Sequence, residues 1–243
     1  MNLRLPNFLV LGAQKGGTSS LRKILLSHPG IFLPQRKEIH FFSKHWHLPS
    51  SWYSDHFAAA PAEQCCGEST PYYLFHPQAA KRISKLLPEA KLIVLLRDPV
   101  ERALSQVFHS QRLGLEPLPL AQALAAEPKR LETGDPMHLQ EHSYISRSRY
   151  LEQLDRYEEL FPANQILVIQ SEAFFASPKA TWQRIEHYLQ LQPAPCPEIT
   201  PTVNAGRKES AHVPEHLKLE LQNSLRDTAA GVLRRYGFGW QWA

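Results

Sequence analysis

The chain has few cysteines, no long apolar run and no block of like charge. Only Cys65, Cys66 and Cys196 occur in 243 residues. An odd count with an adjacent pair is a poor disulfide framework, so a reducing compartment is expected. No apolar stretch approaches the ~18 residues of a membrane span. The first apolar run is short and leads straight into a glycine turn, without a signal-peptide pattern. These absences predict a soluble cytoplasmic protein with no membrane span. The formal net charge is +4 and the sequence pI about 9.0. Yet no five or six like charges stand together, so a basic tail is excluded. A basic aromatic stripe and any recognised nucleic-acid module are also missing, which argues against a nucleic-acid partner. The mild basic excess points to anionic ligands instead. Internal repeats and low-complexity segments are absent. The length suits one large domain, taken as 1–243, and 43% apolar residues are enough for a core.

What is present alternates. Leu5 to Leu11, Lys91 to Leu96 and Gln165 to Gln170 are apolar runs of strand length, expected to be fully buried. Helices are predicted over 18–27, 79–87, 99–113, 148–161, 178–191 and 216–236, with Asp98 as N-cap before Pro99. Ile31 to Pro34 reads as a brief extended piece. Residues 37–57 are rich in His and aromatics and show no clear period. Residues 114–137 read as a Pro-rich loop or insertion with a short helix, and 192–201 as a loop. Buried strands alternating with helices predict an α/β fold: a P-loop-like parallel sheet flanked by helices on both faces, in three α/β/α layers. Ligands in such folds sit at the carboxyl ends of strands. Lys15 and Arg97 each fall just after a strand, so one sheet would bring them to the same edge.

The most informative stretch is Gly12-Ala-Gln-Lys-Gly-Gly-Thr-Ser-Ser20. A strand, a glycine turn and a helix make an anion cradle from backbone N–H groups and the helix N-terminus. A Walker loop has its lysine directly after the second spaced glycine. Here Thr18 follows Gly17, and the lysine is Lys15. The cradle is expected to use the backbone of Gly16, Gly17, Thr18 and Ser19, with hydroxyls from Thr18, Ser19 and Ser20. The other reading is a turn that only tightens strand–helix packing. A second element is Arg97-Asp-Pro-Val-Glu-Arg-Ala-Leu-Ser105. Arg97 leaves a strand end, and its planar fork suits a terminal phosphate. The alternative is that Arg97 pairs with Asp98 or Glu101.

Together these stretches resemble the sulfotransferases that use 3′-phosphoadenosine 5′-phosphosulfate (PAPS). Residues 14–21 look like their 5′-phosphosulfate loop, and 97–105 like their 3′-phosphate motif. The resemblance implies that Lys15 sits beside the bridging oxygen, and that Arg97 and Ser105 hold the 3′-phosphate. Lys37-Glu-Ile-His-Phe-Phe42 resembles the acceptor segment of the heparan-sulfate type, where a glutamate is the base. Gly67-Glu-Ser-Thr-Pro-Tyr-Tyr73 is similar to a second active-site stretch, except that Ser69 stands where the glycan enzymes often carry lysine. Ser148-Arg-Tyr150 resembles the middle region, implying a cosubstrate role for Tyr150. Asn204-Ala-Gly-Arg-Lys208 resembles a late loop that closes over the nucleotide, implying roles for Gly206, Arg207 and Lys208. The overall likeness is to a bacterial-like soluble form, with no late cysteine pair.

The implied reaction moves a sulfuryl group to a hydroxyl or amine of a small-molecule or glycan acceptor. PAPS is the expected cosubstrate and no metal is expected. Lys15 would neutralise charge on the leaving phosphate. Glu38 is the first choice of base and His40 the second. Spaced two apart in an extended segment, they would share a side. Burial near Phe41 and Phe42 is expected to raise the Glu38 pKa. His45, His47 and His56 match no familiar zinc spacing. Two rival readings stand beside this one: a P-loop kinase or nucleotidase, and a PAPS-binding module without turnover. The oligomeric state is left open.

Overall fold

The structure is a computed structural model that describes residues 3–198 and 209–242. Along the chain run β1 (Phe8–Gly12), α1 (Thr18–Leu25), β2 (Ile31–Phe32), α2 (Ser50–Asp55), β3 (Cys65–Ser69), α3 (Ala79–Leu86) and β4 (Lys91–Leu96). Then come α4 (Pro99–Arg112), α5 (Leu120–Glu132), α6 (Pro136–Glu141), α7 (Tyr150–Glu158), β5 (Ile166–Gln170), α8 (Ser171–Ala176) and α9 (Pro178–Leu189). A long α10 (Glu215–Tyr236) follows. The described residues fall into two compact units, 3–96 with 153–198, and 97–152 with 209–242.

The first unit holds a five-stranded parallel sheet in the order β2-β3-β1-β4-β5. β1 is central and all five of its residues are buried. That is why Phe-Leu-Val-Leu-Gly has no polar side chain: a strand covered on both faces has no solvent side. Phe8, Val10, Ile93, Leu95 and Ile169 pack with Leu21 and Ile24 of α1 and with Trp182 and Ile185 of α9. Gly67 of β3 lies opposite Phe8, and a Cβ there would come within 2.1 Å of the phenyl ring. The expected three-layer α/β/α sheet is present, with two strands the sequence reading did not draw as strands. One is β3, whose Cys-Cys-Gly-Glu-Ser carries a charge and a glycine yet is buried from Cys66 to Ser69. The other, β2, is the brief extended piece at Ile31.

The second unit is helical. Val100, Leu104 and Val107 of α4 pack with Ala123 and Leu124 of α5, with Tyr144, and with Leu217, Leu221 and Leu225 of α10. The 13-residue α5 occupies much of the 114–137 stretch expected to be a loop or insertion with a short helix, and α6 begins at its end. α5 even contains Pro128. Proline sits there without breaking the helix, because the cost of one lost hydrogen bond is outweighed by tertiary packing. Among the described residues no helix is long and apolar enough to cross a membrane.

Candidate active site

The loop after β1 is fixed from three sides. Ala13 N–H donates to the Leu95 carbonyl oxygen at 2.7 Å, which ties the loop to the end of β4. Gly16 N–H donates to the Ala13 carbonyl oxygen at 2.8 Å. The Ser171 hydroxyl donates to the Gly16 carbonyl oxygen, also at 2.8 Å. Lys15 takes a left-handed backbone (φ 69°), and Gly17 does the same (φ 96°) as it caps α1. A side chain at Gly17 would meet the Phe175 ring at 2.9 Å. The first turn of α1 holds no acidic residue. Its N–H groups have no intrahelical acceptor and carry the positive end of the helix dipole. The N–H of Gly16 is engaged within the turn, and the N–H groups of Gly17, Thr18 and Ser19 follow it at the start of the helix. Lys15 and Ser20 are half-buried, Thr18 is buried and Ser19 is exposed.

Residues 37–42 meet the start of α1 inside the first unit. Lys37 Nζ donates to Ser19 Oγ at 2.8 Å. The same ammonium lies 3.9 Å from Glu38 Oε1, and His40 Nε2 lies 3.2 Å from Glu38 Oε2. Glu38 and His40 thus do share a side, as the spacing predicts, but as a hydrogen-bonded pair. His40 has φ 60°. Its carbonyl oxygen accepts N–H bonds from Ser43, Lys44 and His45, closing a tight turn, and its Nδ1 is 3.0 Å from Ser43 Oγ.

The expected rise in the Glu38 pKa is overturned. Burial does push the carboxyl up. The hydrogen bond and charge of His40, with the charges of Lys37 and Lys44, outweigh it and hold Glu38 below its ordinary value. Glu38 is therefore ionised at neutral pH, ready to accept a proton without any upward tuning.

A second carboxylate, not singled out from the sequence, is tied to this turn through Thr70 and Tyr73. Glu68 in β3 is 1% exposed. Its Oε1 accepts from Thr70 Oγ1 at 2.5 Å and from the Tyr73 hydroxyl at 2.8 Å. Its Oε2 accepts from the Tyr53 hydroxyl at 2.5 Å. In sequence it stands inside the 67–73 stretch, followed by hydroxyl residues two and five positions beyond. Next to it, Ser69 is 2% exposed and its Oγ has no hydrogen-bond partner among the described residues.

Aromatic rings surround the turn. Phe41 stacks on Tyr53 at 4.4 Å, and Phe42 meets Tyr73 edge-on at 5.4 Å. Arg82 donates to the carbonyl oxygens of Phe42 (2.9 Å) and Ser43 (3.1 Å). Farther out, His45 lies 5.2 Å from the Trp52 ring, and Arg36 sits over that ring. Among the described residues no group of three or more His, Cys, Asp or Glu side chains is gathered as metal ligands would be. Cys65, Cys66 and Cys196 are free thiols.

In the second unit, Asp98 caps α4 as expected, accepting from the N–H groups of Val100 (2.9 Å) and Glu101 (3.1 Å). Trp242 Nε1 donates to the other Asp98 oxygen at 2.6 Å, so the terminal tryptophan is a packing anchor. Arg97 donates to Glu101 at 3.2 Å, the pairing weighed as the alternative from sequence. Ser105 is on α4 and 3% exposed. Tyr150 is fully buried, and its hydroxyl donates to the Arg97 carbonyl oxygen at 2.8 Å. Tyr150 thereby ties the start of α7 to the Arg97 backbone. Gly206, Arg207 and Lys208 lie outside the described residues.

A parallel sheet whose central strand feeds a glycine turn and a helix N-terminus defines a P-loop-like α/β protein. The sequence profile described as "Sulfotransferase family" matches residues 42–195. The chain is 43% identical over 111 residues to the membrane-associated sulfotransferase kil1 of Dictyostelium discoideum, covering 44% of this chain and 24% of that protein. It is 30% identical over 190 residues to heparan sulfate glucosamine 3-O-sulfotransferase 3B1 of Mus musculus, covering 78% of this chain and 47% of that one. The crystal structure of a sulfotransferase from Alicyclobacillus acidocaldarius superposes with a TM-score of 0.84 at 28% identity, over 98% of both chains. The chain belongs to the sulfotransferase family. It spans a quarter to about half the length of these two curated relatives.

Proposed function

We propose that the protein transfers a sulfuryl group from PAPS to a hydroxyl or amine of a glycan or small-molecule acceptor. One observation carries this reading: the 2.8 Å contact between Lys37 and Ser19 brings the Glu38–His40 pair to the mouth of the anion cradle. Base and donor site then meet. In the reaction Glu38, paired with His40, takes the proton of the acceptor. The acceptor atom bonds to sulfur as the bond from sulfur to the 5′-phosphate oxygen breaks. Lys15 and the N–H groups of Gly17, Thr18 and Ser19 take up the charge that develops on the leaving phosphate. Ser20 adds a hydroxyl, and Gly16 sets the turn. Arg97 and Ser105 are assigned to the 3′-phosphate, with Arg97 exchanging Glu101 for the ligand. Gly206, Arg207 and Lys208 are assigned to the nucleotide by resemblance alone. This reading treats 1–243 as one functional domain. It needs no metal, and the free thiols favour a reducing, cytoplasmic setting.

The test is calorimetric titration with 3′-phosphoadenosine 5′-phosphate (PAP) against ATP and 5′-AMP, without magnesium. Binding of the 3′-phosphorylated nucleotide well above the other two is expected. Equal binding, or ATP binding that requires magnesium, would sink the proposal and favour a P-loop kinase. Tight PAP binding without transfer to any acceptor would favour a binding module.

A further inference from the structure

We infer that Glu68 is a positioning residue: its carboxylate, through the hydroxyls of Thr70 and Tyr73, sets the backbone turn that presents Glu38 and His40. The inference rests on the sulfotransferase reading only for the use of that pair, not for the geometry itself.

Two of the three hydroxyls that donate to Glu68 also accept from the turn. His40 N–H donates to Thr70 Oγ1 at 3.4 Å, and Phe42 N–H donates to the Tyr73 hydroxyl at 3.3 Å. A hydroxyl has one proton and two lone pairs. Once its proton goes to Glu68, its oxygen can only accept. The carboxylate therefore fixes the direction of both relays, from backbone N–H to hydroxyl to Oε1. Charge strengthens such chains, since each bond polarises the next.

The turn requires this support. His40 sits in the left-handed region without being glycine, a conformation that persists only where the surroundings hold it. Its carbonyl already serves three N–H groups of the turn, so the turn closes on itself at one end. Its own N–H and that of Phe42 are anchored to the hub at the other. The ring of His40 is aimed at Glu38 by this backbone. Burial pushes Glu68 up in pKa, and the three hydroxyl donors oppose that. Three donors on two oxygens suit the ionised carboxylate, and a carboxyl proton would displace one of them.

Thr70→Val breaks one relay without altering any charge, and Thr70→Ser keeps it. The readout is the titration of the Glu38 carboxyl, followed by carbon-13 NMR in the full-length chain. The charged groups acting on Glu38 are His40, Lys37 and Lys44. If the relay positions His40, the Thr70→Val change moves the Glu38 titration upward toward its ordinary range as the His40 contact loosens. Thr70→Ser returns it to the wild-type position. Glu68→Gln, which keeps an oxygen acceptor at Oε1, shifts the pair less than Glu68→Ala if both fold. An unchanged Glu38 titration in Thr70→Val, alongside a lowered melting temperature, would overturn the inference and leave the hub a purely structural feature. PAP binding is measured on the same samples. A wild-type protein that fails to bind PAP, yet shows the Glu38 shift, defeats the proposed function and leaves the positioning role intact.

Discussion

Lys15 and Glu38 have separable tasks. Lys15→Ala is expected to abolish sulfuryl transfer, and near wild-type turnover would remove Lys15 from the mechanism. Glu38→Gln is expected to lower turnover by ~10²–10⁴-fold, the usual contribution of a general base, with PAP affinity nearly intact. If His40→Ala shows that pattern and Glu38→Gln does not, the base is His40. The pH profile follows from the sign of the Glu38 shift. Its pKa is held below the ordinary carboxylate value by His40, Lys37 and Lys44 against the effect of burial. The acid limb of the activity profile is therefore expected at lower pH than an unperturbed glutamate would give. A limb near neutrality that survives Glu38→Gln would belong to another group. At this scale the sequence pointed to the residues proposed to react but not to how they are held. Glu38, His40 and Lys15 stood in recognisable stretches. Glu68 fell inside the 67–73 stretch but was not singled out within it, because a charged residue is expected at the surface and its three hydroxyl partners come from two separate segments.

Elements were legible where burial alone determined composition. β1 is apolar throughout, β4 and β5 are apolar but for one terminal residue each, and all three stood out as strands. β3 escaped because it swaps apolar bulk for a glycine that admits Phe8 and a glutamate that hydroxyls solvate. Gly67→Ala is accordingly expected to destabilise the sheet by about 1–3 kcal/mol, seen as a lower urea midpoint with an unchanged slope. A neutral result would mean that the β1–β3 spacing can give. The helical insertion escaped for a similar reason. Glu116, 3% exposed, takes a two-pronged bond from Arg130, one from the Tyr144 hydroxyl (2.7 Å) and one from Leu118 N–H (3.0 Å). Burial pushes this carboxyl up, but those donors outweigh it and bring the pKa down to about 2. A depressed carboxylate stabilises the fold above its unfolded pKa, and that stability is lost as pH falls through the folded one. Glu116→Gln is therefore expected to cost on the order of 3 kcal/mol near neutrality. The gap to wild type should close between about pH 4.5 and 2. A gap that persists unchanged at pH 2 would mean that packing, not charge, is lost in the variant.

For the molecule as a whole, a ligand that binds only the folded chain raises its stability by mass action. PAP at a hundredfold excess over its dissociation constant is expected to add about 2.7 kcal/mol, read as a rise in melting temperature. 5′-AMP at the same concentration should add much less, because it lacks the 3′-phosphate assigned to Arg97. Equal protection by both would detach Arg97 and Ser105 from the nucleotide. The mild positive charge predicts that PAP affinity weakens with added salt.

The turn at His40 is tied through Thr70 and Tyr73 to the buried Glu68, whereas Arg36 and His47 are exposed and His45 and Trp52 half-buried. Inheritance can therefore act on the two layers separately. Substitutions on the outer layer alter what the protein meets in solution and leave the pair proposed for proton transfer in register. A descendant of this chain can change its clientele without rebuilding its chemistry.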